Sequence, residues 1–107
     1  MKNFIVLTIF LAASLLEVGG DAIIRKGLRG MGIWFVVIGF IMLGCYGIVV
    51  NVVNWDFSKL LGVYVSVFAL SSMLFGKFIF KESIPEIRWA GVALIAIGGL
   101  VIQFGAK

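Results

Sequence analysis

The chain has 107 residues, of which 63% are hydrophobic and 13% charged, with a formal net charge of +4. A soluble domain of this length has too little interior to hide so much apolar surface, so the composition excludes an ordinary globular domain and points to a bilayer as solvent. The nine Lys and Arg residues fall mostly at the ends of apolar runs, which argues for membrane topology and against nucleic-acid binding.

The first apolar run covers residues 4–24. Lys2, the stretch "FIVLTIFLAASLL" and the small residues at 12–14 fit a signal-peptide template. The run resumes after Glu17, however, and later apolar runs target the chain to the membrane by themselves, so a first transmembrane helix is the expectation. Its notable feature is "SLLEVGGDAIIRKGLR" at residues 14–29, which places Glu17 and Asp21 one helical turn apart in a segment fit for lipid. A charge deep in a bilayer costs at least a few kcal/mol, so an ionisable residue there faces a bundle interior or a water-filled cavity. Phe10, Ala13, Ser14 and Gly20 share the face of Glu17 on a helix, and the small ones leave room for a ligand or a partner helix. Removal from water disfavours the charged form of Glu17, and a second carboxylate nearby disfavours it further. Such a group can exchange a proton for a cation, as a proton-coupled antiporter requires. The bland alternative is a Glu that only hydrogen-bonds between helices. Asp21 has two readings as well: it lines the substrate path, or it forms a surface bridge to Arg25 four residues on, worth tenths of a kcal/mol.

The second run covers 33–53 and contains Gly39, Gly44 and Gly47, with Cys45 and Tyr46 beside them. Gly44 and Gly47 share a face and are expected to serve close helix packing. Asn51 and Asn54 at its end read as interfacial. Cys45 is the only cysteine and there is no histidine, so neither an intrachain disulfide nor a zinc site is expected. The third run covers 60–80, preceded by "NWDFSK", in which Asp56 or Ser58 suits a helix cap. The fourth covers 87–104 and follows "KESIPEIR", with the single proline, Pro85, and Ser83 at a spacing that suits an N-cap. Each run is about 18–21 residues, about 27–31 Å as a helix, the thickness of a hydrocarbon core. None shows the strict alternation of barrel strands. The expected fold is therefore an all-α membrane protein, one domain of four transmembrane helices over 1–107. Trp34, Trp55 and Trp89 fall at the expected helix ends, as interfacial anchors do, and Lys77 reads as a snorkelling residue.

Basic residues set the expected orientation. Arg25, Lys26, Arg29, Lys81 and Arg88 outnumber Lys2, Lys59 and Lys107 on the other side. The positive-inside rule then puts the loops at 25–32 and 81–88 in the cytoplasm and both termini outside, with a bias modest enough to leave a dual-topology population open.

With those residues in view, the chain resembles the small multidrug resistance transporters of the drug/metabolite transporter superfamily. "LLEVGGDAIIRKG" is similar to that family's first-helix pattern, whose essential Glu maps onto Glu17. "LLGVYVSVFALSSMLFGKFIFKESI" looks like its third helix, where Tyr64 matches a Tyr lining the binding chamber. "WAGVALIAIGGLVI" resembles its fourth helix through Gly91, Leu94, Ile95 and Gly98. The resemblance implies an antiparallel homodimer, or a heterodimer with a paralogue. In it Glu17 of both subunits would face one central chamber, the fourth helix would make the dimer contact, and access would alternate across the inner (plasma) membrane. Ser14, Asp21, Tyr64 and Phe68 would line the site with Glu17; protons would be the coupling ion, with no other cofactor and no metal. The chain departs from the pattern at three places. Val67 stands where the family has a substrate-stacking Trp, Ala69, Leu70 and Ser71 replace glycines of the third helix, and Asp21 takes a position usually small or hydroxylic. These mark an outlying subgroup, with a substrate that is a small polar cation, a polyamine-like molecule or not cationic. The reading is a proton-coupled exporter of small cationic or polar compounds. The alternatives are a subunit of a flippase for lipid-linked substrates and a non-transporting assembly protein. No nucleophile–base pair is visible, so an enzyme is not expected, and no nucleic-acid partner is expected either.

Overall fold

The computed structural model describes residues 3–105. Lys2 and Lys107 of the charge comparison lie outside the described residues. Four helices follow one another: α1 (Asn3–Lys26), α2 (Ile33–Asn51), α3 (Phe57–Phe78) and α4 (Glu86–Gly105). All four are long and apolar enough to cross a membrane, and there is no strand among the described residues. The expected all-α membrane fold is the observed one. The chain forms two compact units, Met1–Asn54 and Trp55–Lys107, each a pair of helices.

The first unit pairs α1 with α2. The join between them is a wide turn at Gly27–Met31, closed by a hydrogen bond of 3.2 Å from the Gly32 N–H to the Gly27 carbonyl. Gly30 and Gly32 take φ values of 128° and 102°, a region that residues with a Cβ rarely adopt. The basic, glycine-rich composition of this loop thus has two separate causes: charge for orientation, glycine for the reversal. Because the turn is short, α2 runs back along α1, and the two backbones meet where both lack side chains. A Cβ on Gly39 would lie 2.6 Å from the Gly20 carbonyl oxygen and 2.5 Å from Cγ1 of Ile24. This is the small-residue contact by which helices approach in lipid, where dispersion and backbone proximity replace the hydrophobic drive. Gly44 and Gly47 do not share that role: a Cβ on either would meet nothing within 4 Å. They lie further along α2, beyond the point of closest approach, so the expected packing pair is corrected to Gly20 and Gly39. Asn51 donates to the Gly47 carbonyl at 2.7 Å and so helps to close the end of its own helix.

The second unit pairs α3 with α4. Here the seam is held by Ser66, whose hydroxyl donates to the Ile95 carbonyl at 2.9 Å, directly against Gly99, where any Cβ would overlap the Ser66 side chain. Nearby, Ile102 fills the space that Gly62 leaves open. Replacing Gly99 by Ala should force Ser66 aside and break that hydrogen bond, at a cost of about 1–3 kcal/mol. A drop in the thermal midpoint of the detergent-solubilised protein, absent from a Gly44→Ala control, would register it, since Gly44 has nothing within 4 Å of its Cβ position.

Helix ends differ from the sequence expectation in instructive ways. α3 begins at Phe57, three residues early, because Asp56 adopts an extended backbone (φ −55°, ψ 141°) at the N-cap and its carbonyl accepts the Leu60 N–H at 2.8 Å. The Asp56 side chain makes no cap hydrogen bond. α3 ends at Phe78, two residues early, as Phe80 and Glu82 turn their N–H groups back to Phe75 and Gly76 and Lys81 takes φ 56°. α4 starts at Glu86, and the Pro85 carbonyl accepts the Arg88 N–H at 3.0 Å. Pro85 therefore stands just before the helix, leaving Ser83 too far out to cap it. Trp34 and Trp89 sit in first turns and Trp55 just ahead of α3, so the aromatic residues do mark helix ends.

Burial is uneven. In the most apolar stretch of α1, 39% of residues are buried, against 6–11% in the other three helices. Phe40, Ile48, Leu94, Ile97 and Val101 are exposed. In water such surface would drive aggregation; in a bilayer it is lipid-facing or available to another helix.

Candidate functional site

α1 carries the carboxylates, and its buried face is the one the spacing predicts. Phe10, Ala13 and Ser14 are 0–1% exposed, and Gly20 is buried. Glu17 lies among them, half-buried, while Asp21 one turn further is exposed. Four residues apart on a 1.5 Å rise, the two acids are separated by about one turn along the axis, yet they meet different surroundings. Glu17 sits near the middle of the span beside small side chains, whereas Asp21 is a turn from Arg25 and Lys26 at the basic end of α1. Ser14, completely buried, donates its hydroxyl to the Leu11 carbonyl at 2.9 Å. That internal bond is what allows a hydroxyl to sit on the enclosed face without loss.

The register of the first pair brings α2 into the site. Gly20 lies against Gly39, and Gly19 against Met42, whose methyl would be 3.1 Å from a Cβ there. Stepping back along α1 and forward along α2 in this antiparallel arrangement leads from Gly20 to Glu17 and from Gly39 to the turn that holds Tyr46. Tyr46, in that turn of α2, is half-buried. Sequence reading placed Tyr46 only among the packing residues of α2. The signal that would have found it is the seven-residue step from Gly39, two turns along the same face, but this requires knowing that Gly39 is the contact point.

The second unit holds the other expected residues. Tyr64 is 3% exposed, and its ring lies 6.3 Å from that of Phe68, tilted by 30°. Tyr64 and Phe68 thus form one aromatic patch on α3, as the spacing of four predicts. Val67 occupies the intervening face and is half-buried. On α4, Gly98, Leu94 and Ile95 are exposed, Leu94 by 70%, and neither Gly91 nor Gly98 has an atom within 4 Å of its Cβ position. The seam within this unit runs through Gly99 instead, with Leu94 and Gly98 exposed and Gly91 half-buried. Among the described residues no three His, Cys, Asp or Glu side chains come together to hold a metal ion.

Four spanning helices with an acid on the enclosed face of the first define an integral membrane protein. A match over residues 4–107 carries the description "Uncharacterised BCR, YnfA/UPF0060 family", and the chain belongs to that family, one related to the drug/metabolite transporter superfamily. Similar proteins, all described as UPF0060 membrane proteins, include one from Nocardia farcinica, 32% identical over 94% of this chain and 93% of its own length. Another, from Synechocystis, is 26% identical over 92% of each chain. A third, from Desulfitobacterium hafniense, is 30% identical over 92% of this chain and 94% of its own. No solved structure matches the chain. The sequence resemblance reached the superfamily to which the family is related, while the family is YnfA/UPF0060.

Proposed function

We propose that this protein is a proton-coupled secondary transporter that exports small cationic or polar compounds across the inner (plasma) membrane. The observation that carries the reading is Glu17: a half-buried carboxylate on the enclosed face of α1, beside the buried Ala13, Ser14 and Gly20. A carboxylate in that position binds a cation or a proton, and each excludes the other. In this reading the chamber forms between two copies of the chain, as the resemblance implies. The Gly91, Leu94, Ile95 and Gly98 stripe on α4, on which Leu94 and Gly98 are exposed, is the proposed contact, between identical copies or with a paralogue. Tyr64, buried in its own unit, and the half-buried Phe68 are the aromatic residues that the resemblance assigns to the cargo, and no enzymatic step or cofactor beyond the proton is involved. A second reading, a subunit that moves lipid-linked substrates, draws support from Val67, because without a Trp at that position the site lacks the strongest platform for an aromatic cation.

The test is equilibrium binding to purified protein across a pH series, with guanidinium compounds, quaternary ammoniums, polyamines and lipid head groups as ligands. A cationic ligand should bind more weakly as pH falls, because protonation removes the opposing charge; binding that ignores pH would reject proton coupling. Asp21 is expected to matter much less. Its exposure makes any pairing with Arg25 worth about 0.3–0.5 kcal/mol, so Asp21→Asn should change ligand affinity by no more than about threefold. A larger loss would place Asp21 in the substrate path.

A further inference from the structure

Outside the carboxylate site, the second unit contains a groove of about 580 Å³ between the start of α3 and the end of α4, lined by Asp56, Ser58, Lys59, Val101, Ile102 and Gly105. Its composition is divided. One end has an acid, a hydroxyl and a base; the other has two β-branched side chains, both at least partly exposed, and a glycine. Ile102, seated against Gly62, forms a fixed part of the wall. The Asp56 carboxylate is not spent on capping the helix behind it. Lys59 is held by its neighbour: its ammonium lies 4.2 Å from the centre of the Trp55 ring, a cation–π contact that restrains a flexible side chain. The groove lies at helix ends marked by a tryptophan, which is where the headgroup layer begins.

We infer that this groove is a binding site for a phospholipid with a primary-ammonium headgroup, of the phosphatidylethanolamine type. The charges among the described residues decide the class. Lys59 and Ser58 offer donors to a phosphate, and Asp56, exposed and making no cap hydrogen bond, offers a negative charge that a cationic donor complements. A purely anionic headgroup would place its charge against Asp56. A choline headgroup has the positive charge but no N–H to give the carboxylate, whereas a primary ammonium has three. Val101 and Ile102 then continue the site as a surface for the start of an acyl chain. The inference stands apart from the transport proposal, because it uses none of the residues assigned there.

Trp55 makes the site measurable. In a Trp34→Phe, Trp89→Phe background, Trp55 is the sole tryptophan. That protein in phosphatidylcholine nanodiscs is titrated with lipids brominated near the headgroup end of the chain, carrying ethanolamine, choline or glycerol headgroups. Half-quenching should occur at a mole fraction about threefold lower for the ethanolamine lipid than for the choline lipid, the size of effect one interfacial ion pair supplies. Asp56→Asn should bring the ethanolamine curve onto the choline curve, and Lys59→Gln should weaken the ethanolamine response. The proposal is overturned by coincident ethanolamine and choline curves, by a stronger response to the glycerol headgroup, or by a preference that survives Asp56→Asn. Native mass spectrometry of the unaltered chain released from an equal mixture of the three lipids gives a second readout. Ethanolamine-lipid adducts should dominate, and an even distribution would also overturn the assignment.

Discussion

Glu17→Gln should abolish proton-driven transport while leaving the protein folded. The substitution keeps the size of the side chain and its capacity to hydrogen-bond, and removes only the charge and the titration. The packed neighbours Ala13, Ser14 and Gly20 therefore meet a side chain of the same shape, and a neutral amide is easier to hold in the membrane than a carboxylate. What is lost is the attraction to a cationic cargo in a partly desolvated site. Removing one member of such a pair costs roughly 2 kcal/mol or more, at least about thirtyfold in Kd. More telling than the size is the shape of the response: the variant's residual binding should be independent of pH, because the group that exchanged cargo for protons no longer titrates. Glu17→Asp, which keeps the charge one methylene further back, should retain pH dependence with weaker binding. The decisive measurement is uptake into proteoliposomes under an imposed pH gradient. If Glu17→Gln vesicles still accumulate substrate against its gradient when the pH difference is applied, coupling through this residue is wrong, whatever the fold.

The same residue shows how far sequence can be read. Four spans were legible because each is an apolar run of bilayer length, and the enclosed face of α1 was legible because Phe10, Ala13, Ser14 and Gly20 repeat at helical spacing around Glu17. Helix ends were less so. At Asp56 the residue type suggested a side-chain cap, yet the cap position is filled by backbone geometry alone; at Pro85 the N-cap pattern was displaced by two residues, because proline stands before the helix rather than in it. Glycines were the least legible. Gly39, Gly44 and Gly47 are equivalent as letters, and only the register set by the turn through Gly30 and Gly32 decides which of them meets α1. Tyr46 was missed for that reason: its relation to Glu17 exists only once the register is known. The resemblance to a transporter family had a similar limit, since order and spacing of motifs reached the superfamily and not the YnfA/UPF0060 family itself.

Those glycines carry the second large prediction, in which two substitutions of the same kind on the same helix have opposite signs. Gly39→Ala should destabilise the first helix pair by about 1–3 kcal/mol, the usual cost of forcing a methyl group into a filled contact. The new Cβ would stand 2.5 Å from Ile24 Cγ1 and 2.6 Å from the Gly20 carbonyl oxygen. A side chain can turn aside, but a backbone carbonyl engaged in its own helix cannot, so α1 and α2 must separate. Trimming Ile24 to Ala in the same protein should accordingly recover only part of the loss. Gly44→Ala meets nothing within 4 Å and removes a flexible residue from a helix interior, a change worth about 0.5–1 kcal/mol in favour of the helix. Reversible denaturation in mixed detergent micelles, followed by circular dichroism, would resolve the two. If Gly39→Ala proves as stable as the parent, the close backbone contact between α1 and α2 does not exist. The register that brings Tyr46 towards Glu17 would fall with it, because Gly20, the other half of the contact, is less than one turn from the carboxylate on which transport is proposed to depend.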